Sequence, residues 1–438
     1  MLNRRHFLHI GVAALGTSAL VSTPVFAQSA VAHAATAVTQ VYGDGLRFVA
    51  VALEYTAPVA AADLVAEAFT VEGRTVTDVY TATSADPADA ADAGRFVIVA
   101  LSPDDAGAVL AIEQERGGGP SDDDDDDDKD SQGGGGPGKV GTKTETGAMF
   151  NAPAADVTAS GTALATRAVI NPIVDDFQQL VWNDPETGGT LQYNLYVPAD
   201  YDPAQSYPLV NFMHDAGATS TDVLTTLKQG LGAICFASPA DQAARPAFVL
   251  APQYDEIIVD DTSTPSRMMQ TTINLITALT KQYSIDPKRL YTTGQSGGGM
   301  MSIAMNIAYP DFFASSFLVA CQWDASLVAP MAGNRMFILV SQDDAKAFPG
   351  QVAIAEALEG EGAQVARAVW DATWTDTQIQ FAFDDLIAEG ADINFVTYAK
   401  GTVLDGEPAQ GANGHLNTWT YAYAIPQIRA WLLDGLAR

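Results

Sequence analysis

Two rhythms of apolar and polar positions divide the chain. Up to about residue 170, apolar residues alternate with polar ones or gather in short runs, as in Leu46-Arg47-Phe48-Val49-Ala50-Val51-Ala52-Leu53 and Arg95-Phe96-Val97-Ile98-Val99-Ala100-Leu101. This is the pattern of half-buried strands. Gly43-Asp44-Gly45, between Val41 and Leu46, is a hairpin turn signal. Strands of this kind bury their apolar faces most simply in a small sandwich, expected over 36–170.

From about Phe177 the rhythm changes. Leu191–Val197, Leu209–Met213, Ala247–Leu250, Arg289–Thr293, Ser316–Ala320, Met336–Val340 and Ile393–Tyr398 read as strands. Between them, Met268 to Tyr283 repeats apolar residues at helical spacing, a second helix starts at Gly298, and Tyr421 to Leu436 reads as a final amphipathic helix. Alternating strands and helices imply a mostly parallel sheet covered on both faces, so residues 177–438 are expected to be an α/β domain. Active sites in such sheets lie at the carboxyl ends of the strands.

Two segments stand outside these rhythms. Residues 1–27 have a basic start, an apolar run from Ile10 to Val25 and small residues around Ala27, which together read as an export signal. Its opening Asn3-Arg4-Arg5-His6-Phe7-Leu8 resembles the twin-arginine motif of proteins exported already folded. The apolar run is shorter than the ~20 residues a membrane span needs, so no stable span is expected. The chain is accordingly placed outside the cell or in the cell envelope. The second segment, 117–143, holds Asp122 through Asp128 and Gly133 to Gly136. Glycine entropy and mutual repulsion oppose its collapse, and it is expected to carry no ordered structure. Contiguous aspartates also lack the alternating spacing that wraps a calcium ion.

Composition narrows the function. Across 438 residues, 53 acidic side chains face 22 Lys and Arg, for a formal charge of −31. Nucleic acid and anionic bilayers would repel such a fold, and neither is expected as a partner. Two cysteines, Cys235 and Cys321, make neither a disulfide framework nor a zinc-type pair, and no metal or organic cofactor is called for.

Gly294-Gln295-Ser296-Gly297-Gly298 matches G-x-S-x-G between a strand and a helix. A nucleophile elbow needs that setting, because a sharp strand-to-helix turn exposes the serine hydroxyl and glycines remove side chains that would collide across it. A serine hydroxyl needs a base, which in this architecture follows in the order Ser…Asp…His. His415 is the only histidine after Ser296, in the loop Gly411-Ala412-Asn413-Gly414-His415 before the final helix. The orienting acid should follow the strand ending at Val340, where Asp343 and Asp344 are both candidates, with Asp324 as an outside one. The Gly297 N–H and an N–H of the loop His214-Asp215-Ala216-Gly217, with Ala216 favoured, would hold an oxyanion. His214 reads as a brace of that loop within the substrate pocket. Trp323 and Trp419 are candidate pocket walls, against the plainer reading of tryptophan as core.

Asp286-Pro287-Lys288-Arg289-Leu290-Tyr291, running into Gly294-Gln295-Ser296-Gly297-Gly298-Gly299, resembles secreted α/β-hydrolase esterases related to polyhydroxybutyrate depolymerases and feruloyl esterases. The nearer resemblance is to the bacterial group with an immunoglobulin-like N-terminal domain, also described as prolyl-oligopeptidase-like. Ser341-Gln342-Asp343-Asp344-Ala345-Lys346 resembles that group's acid loop, which implies Asp344 as the acid, and Trp419-Thr420-Tyr421-Ala422-Tyr423 resembles its final segment. His214-Asp215 stands where many relatives have His-Gly. The resemblance implies an α/β-hydrolase fold behind an immunoglobulin-like sandwich, and a Ser296–Asp344–His415 triad acting on small or polymer-linked esters. A peptidase with the same triad, and a surface binding protein with a vestigial one, are the competing readings.

Overall fold

The computed structural model describes residues 30–112, 137–144 and 149–435, apart from 409 and 411. The export signal of residues 1–27 lies outside the described residues, as do 117–136 of the acidic stretch.

The N-terminal domain contains β1 (Ala32–Tyr42), β2 (Gly45–Ala60), β3 (Phe69–Val71), β4 (Val76–Ala82), β5 (Ala93–Leu101), β6 (Asp156–Ala159), β7 (Thr162–Ala165) and β8 (Ala168–Ile170). They form a five-stranded sheet in the order β4-β5-β2-β1-β8 and a three-stranded sheet β3-β6-β7. The hairpin expected at Gly43-Asp44 joins β1 to β2, with Tyr42 paired to Gly45. Alternation in β2 has a direct consequence. Val51 and Leu53 join a core cluster with Phe69 and Val157 of the smaller sheet, whereas Ala50 and Ala52 join Val38, Ala82 and Ile98 in a separate one. The larger sheet thus has buried apolar residues on both faces.

The second domain is built on β9 (Gln178–Asn183), β10 (Thr190–Tyr196), β11 (Tyr207–Met213), β12 (Phe248–Gln253), β13 (Ile285–Gln295), β14 (Ser315–Val319), β15 (Met336–Ser341), β16 (Val365–Trp370) and β17 (Ile393–Tyr398). Their order is β16-β17-β15-β14-β13-β11-β12-β10-β9, parallel from β16 through β12 and antiparallel beyond it. Every residue of β11, β14 and β15 is buried, as strands covered on both faces must be. The helices are α1 (Thr225–Lys228), α2 (Leu231–Ala237), α3 (Pro239–Ala244), α4 (Met268–Gln282), α5 (Gly297–Ala308), α6 (Ala347–Gly360), α7 (Asp376–Ile387), α8 (Asn413–Ala422) and α9 (Pro426–Leu433). From β11 the chain steps outward to β12 and returns on the other side as β13, so β11 and β13 flank a topological switch point.

Two expectations are corrected. The final helix is two helices, because Pro426 at the start of α9 cannot continue α8 and instead opens a new one. His415, expected in a loop, lies in the first turn of α8, where its N–H bonds the Ala412 carbonyl at 3.0 Å.

The domains share packing. The β1–β2 turn is wedged against α8: a Cβ on Gly43 would stand 2.3 Å from the Thr420 carbonyl oxygen, so only glycine fits there. Val41 and Leu46 of the hairpin belong to the same apolar cluster as Phe236 of α2, Trp419 of α8 and Tyr423 just beyond it.

Candidate active site

Ser296 stands between β13 and α5, as the N-cap of α5, with φ 49° and ψ −120°, a conformation that costs a residue bearing a side chain of order 1–3 kcal/mol. Two glycines make the turn possible. A Cβ on Gly294 would lie 2.4 Å from the Gly298 carbonyl carbon, and one on Gly298 would lie 1.9 Å from the Met213 carbonyl oxygen. The second contact matters most, because Met213 ends β11 and leads straight into His214-Asp215-Ala216. Gly298 therefore lets the elbow and the loop after β11 press together. Ser296 N–H also bonds the Val319 carbonyl at 3.0 Å, fixing the elbow to β14.

Ser296 Oγ lies 2.9 Å from His415 Nε2, and His415 Nδ1 lies 2.5 Å from Asp344 Oδ2. These three side chains come from the ends of β13 and β15 and from the helix after β17. Asp344 is only 3% exposed. Burial alone would raise its pKa, but the hydrogen bond and charge of His415 and the N–H groups of Ala347 and Lys346 outweigh it and hold the carboxyl below its ordinary range. Those two N–H groups bond Oδ1 at 2.8 and 3.1 Å. Asp343 faces elsewhere: its Oδ2 accepts the Gly401 N–H at 2.6 Å. Its main chain instead crowds Gly414, whose Cβ would stand 2.6 Å from the Asp343 carbonyl oxygen. Asp324 caps a short turn, accepting from the Ser326 N–H and hydroxyl.

Gly297 is the first residue of α5, where N–H groups have no partner within the helix. A Cβ built on it would be 3.5 Å from the Ala216 nitrogen, so the two amides proposed from sequence flank one small space. The Ala216 loop is held by Asp215, whose Oδ2 accepts the Gly217 N–H at 2.8 Å and whose Oδ1 accepts Gln295 Nε2 at 3.3 Å. Asp215 thus ties the loop after β11 to the residue preceding the serine. Sequence reasoning named no role for Asp215 or Gln295; an Asp followed two residues later by Gly in a turn was the available signal.

His214 is 2% exposed. Its Nδ1 is 2.7 Å from the Asp215 carbonyl, which can only accept, and its Nε2 is 3.0 Å from the Tyr254 N–H, which can only donate. Both bonds are satisfied by one neutral tautomer with the proton on Nδ1. Burial holds its pKa below the ordinary histidine value, against the opposing pull of the Asp215 carbonyl and carboxylate. His214 therefore pins the end of β11 to the end of β12. Trp419 packs edge-on against His415, with centroids 5.2 Å apart and planes at 85°, and so limits where the imidazole can swing. Trp323 is 7% exposed and sits in the core cluster with Ile258, Val328 and Met331. Cys321 and Cys235 are free, buried thiols whose pKa burial pushes up to about 12. Among the described residues, no group of three or more His, Cys, Asp or Glu could hold a metal ion, and no helix is long and apolar enough to cross a membrane.

A correction concerns 117–143, expected without order throughout. Its end, 137–143, is fixed: Gly141 N–H bonds the Ile257 carbonyl, and Ile257 N–H bonds the Thr142 carbonyl, both at 2.9 Å. Main-chain hydrogen bonding to the second domain supplies what composition opposes.

Comparison with known proteins agrees with this architecture. Residues 34–145 match the family model of the esterase Ig-like N-terminal domain. A thermostable esterase of known crystal structure is similar over 92% of this chain and 99% of its own, with a TM-score of 0.71 at 22% identity. The described architecture is thus an immunoglobulin-like β domain followed by an α/β-hydrolase-like fold. Feruloyl esterase B of Talaromyces funiculosus is 26% identical over 164 residues, 35% of this chain and 44% of that protein. The probable acetylxylan esterase A of Aspergillus flavus is 43% identical over 47 residues, 11% of this chain and 15% of that protein. The chain spans less than half the length of each of these curated relatives.

Proposed function

We propose that the protein is an exported serine hydrolase that cleaves carboxylic esters through an acyl-enzyme on Ser296. The observation that carries the reading is the continuous chain of contacts from Ser296 Oγ to His415 Nε2 at 2.9 Å and from His415 Nδ1 to Asp344 at 2.5 Å. His415 takes the hydroxyl proton as Ser296 Oγ bonds to the ester carbonyl carbon. Asp344 keeps the His415 proton on Nδ1 and stabilises the imidazolium that forms. The Gly297 and Ala216 N–H groups hold the negative oxygen of the tetrahedral intermediate, a role main-chain donors fill without reorganising. His415 then protonates the leaving alkoxide, and a water, activated by the same imidazole, attacks the acyl-enzyme and frees the acid.

The names of the two fungal relatives support an ester as the substrate class, small or polymer-linked. Export follows from the twin-arginine-like opening of residues 1–27. The test is turnover of p-nitrophenyl acetate beside a chromogenic peptide, with labelling by a fluorophosphonate probe. The wild type should label and cleave the ester, and Ser296→Ala should do neither. Peptide turnover with the ester inert would make the protein a peptidase. A folded wild type that labels no better than Ser296→Ala would end the enzyme reading.

A further inference from the structure

An amide serves an oxyanion only if the loop that carries it does not yield as charge develops. Loops beyond strand ends are ordinarily the mobile parts of a sheet, so the loop bearing Ala216 has to be held. Within the loop, Asp215 Oδ2 accepts the Gly217 N–H at 2.8 Å and the Asp215 carbonyl accepts the Ala218 N–H at 3.1 Å, which closes a turn around Ala216. A further contact leaves the loop. Asp215 Oδ1 accepts Gln295 Nε2 at 3.3 Å, and the same Nε2 donates to Gln229 Oε1 at 3.3 Å. Gln229 stands beside Gly230, where a Cβ would be 3.0 Å from the Gly43 carbonyl oxygen of the β1–β2 turn.

Asp215 and Gln295 are buried, and a carboxylate only accepts. Asp215 therefore fixes the direction of this relay. Gln295 must turn its NH2 toward both neighbours, which leaves Gln295 Oε1 and Gln229 Nε2 buried without a hydrogen bond among the described residues. Unpaired buried polar atoms oppose folding and call for an explanation. What stands against them here is the bond from the elbow to the Ala216 loop. Gln295 and Gly297 lie on either side of Ser296, so that bond ties the Ala216 amide to the same short backbone that presents the nucleophile and the other donor.

We propose that Asp215 is the positioning residue of the oxyanion site, holding the Ala216 amide against the Gly297 amide through Gly217 and Gln295. The proposal rests on the ester-hydrolase reading above.

The experiment measures kcat and KM for p-nitrophenyl acetate, and Ki for an alkyl trifluoromethyl ketone, per active serine counted by fluorophosphonate titration. The ketone reports the site directly: Ser296 Oγ adds to its carbonyl carbon, the hydroxyl proton passes to His415, and the oxygen is left negative between the two amides. Asp215→Ala should lose at least ~10-fold in kcat and in ketone affinity with KM within about threefold, the mark of an interaction made only in the transition state; removing an oxyanion donor outright costs about 10²–10³. Asp215→Asn should recover most of that loss, because with both glutamine amides turned over its NH2 and Gln229 Nε2 donate to Gln295 Oε1. Gln295→Glu sets two carboxylates face to face and should be as damaged as Asp215→Ala. Combining it with Asp215→Asn, whose NH2 donates to the new carboxylate, should return kcat to within about threefold of the wild type. A kcat unmoved in Asp215→Ala, or a kcat that falls while ketone affinity holds, would overturn the proposal, as would a double variant no better than Gln295→Glu. Should Asp215→Ala not fold, the Gln295→Glu single and double variants decide alone. A wild type that neither cleaves the ester nor labels ends the esterase reading itself, and this one with it.

Discussion

Replacing Asp344 by Asn tests the site through a single proton. Asp344 Oδ1 accepts two main-chain N–H groups, from Ala347 at 2.8 Å and Lys346 at 3.1 Å, while Oδ2 faces His415 Nδ1 at 2.5 Å. An amide in the same place can turn either way. With its NH2 toward Ala347 and Lys346, two buried N–H donors lose their acceptor, at about 1–3 kcal/mol each. With its oxygen there, both are kept and the NH2 faces His415. That orientation wins, and it forces Nδ1 to become an acceptor. The imidazole proton moves to Nε2, which then donates to Ser296 Oγ instead of receiving its proton. The equivalent exchange in serine proteases lowers kcat by about 10⁴, or about 5.4 kcal/mol of barrier. In steady-state assays with p-nitrophenyl acetate, Asp344→Asn should lose ~10³–10⁴ in kcat with KM within about threefold. Its urea unfolding midpoint should stay near that of the wild type, because the main-chain bonds survive. Asp343→Asn should keep most of the activity, since an amide oxygen can still accept the Gly401 N–H. An Asp344→Asn enzyme within tenfold of wild type, or an Asp343→Asn enzyme the more damaged of the two, would refute this reasoning.

Two further outcomes follow from the same geometry. Ser296→Gly should be inactive yet at least as stable as the wild type by urea denaturation, because glycine relieves a φ of 49° worth about 1–3 kcal/mol and itself costs only about 0.5–1 kcal/mol in chain entropy. His214 has a folded pKa below its unfolded value of about 6.5, so its stabilisation is complete above that pH and erodes as pH falls toward the folded value. The wild type should lose up to about 1.4 kcal/mol of unfolding free energy per pH unit through that window beyond what His214→Gln loses, and equal slopes would contradict the assignment.

What the sequence revealed of this site depended on how far each residue's role is local. Ser296 was legible because the elbow is a local motif, and its glycines are required by contacts within a few residues and with Met213. His415 was legible by scarcity, being the only histidine after Ser296. Asp343 and Asp344 could not be separated by spacing. What distinguishes them is a turn in which one carboxylate caps the start of α6 and the other reaches Gly401, 58 residues away. Residues 137–144 were hidden by the composition of their neighbours. They form turns and one isolated bridge to Glu256, fixed by main-chain bonds to residues more than 100 positions away, which no local pattern encodes. The break between α8 and α9 was missed for a similar reason: the apolar pattern continues across Pro426, whose ring and missing N–H bar a helical bond to the Ala422 carbonyl, where α8 ends.

The boundary near residue 170 separates two folds without separating the site. The N-terminal domain meets the second domain on both flanks of the serine. On one flank, the turn at Gly43 abuts Thr420 on the helix that carries His415, so the placement of that imidazole depends on a hairpin more than 370 residues earlier. On the other, 137–144 is bonded to 255–257, the chain that leads into the cavity beside the Gly297 and Ala216 amides. Trp419, which packs on His415, belongs to an apolar cluster that includes Val41, Leu46 and Phe48 of the hairpin. An imidazole that must hold two short hydrogen bonds needs rigid support, and here part of that support is the N-terminal sheet. The immunoglobulin-like domain therefore meets the candidate site on both sides, packing on the helix that carries His415 and bonding to the chain beside the Gly297 and Ala216 amides.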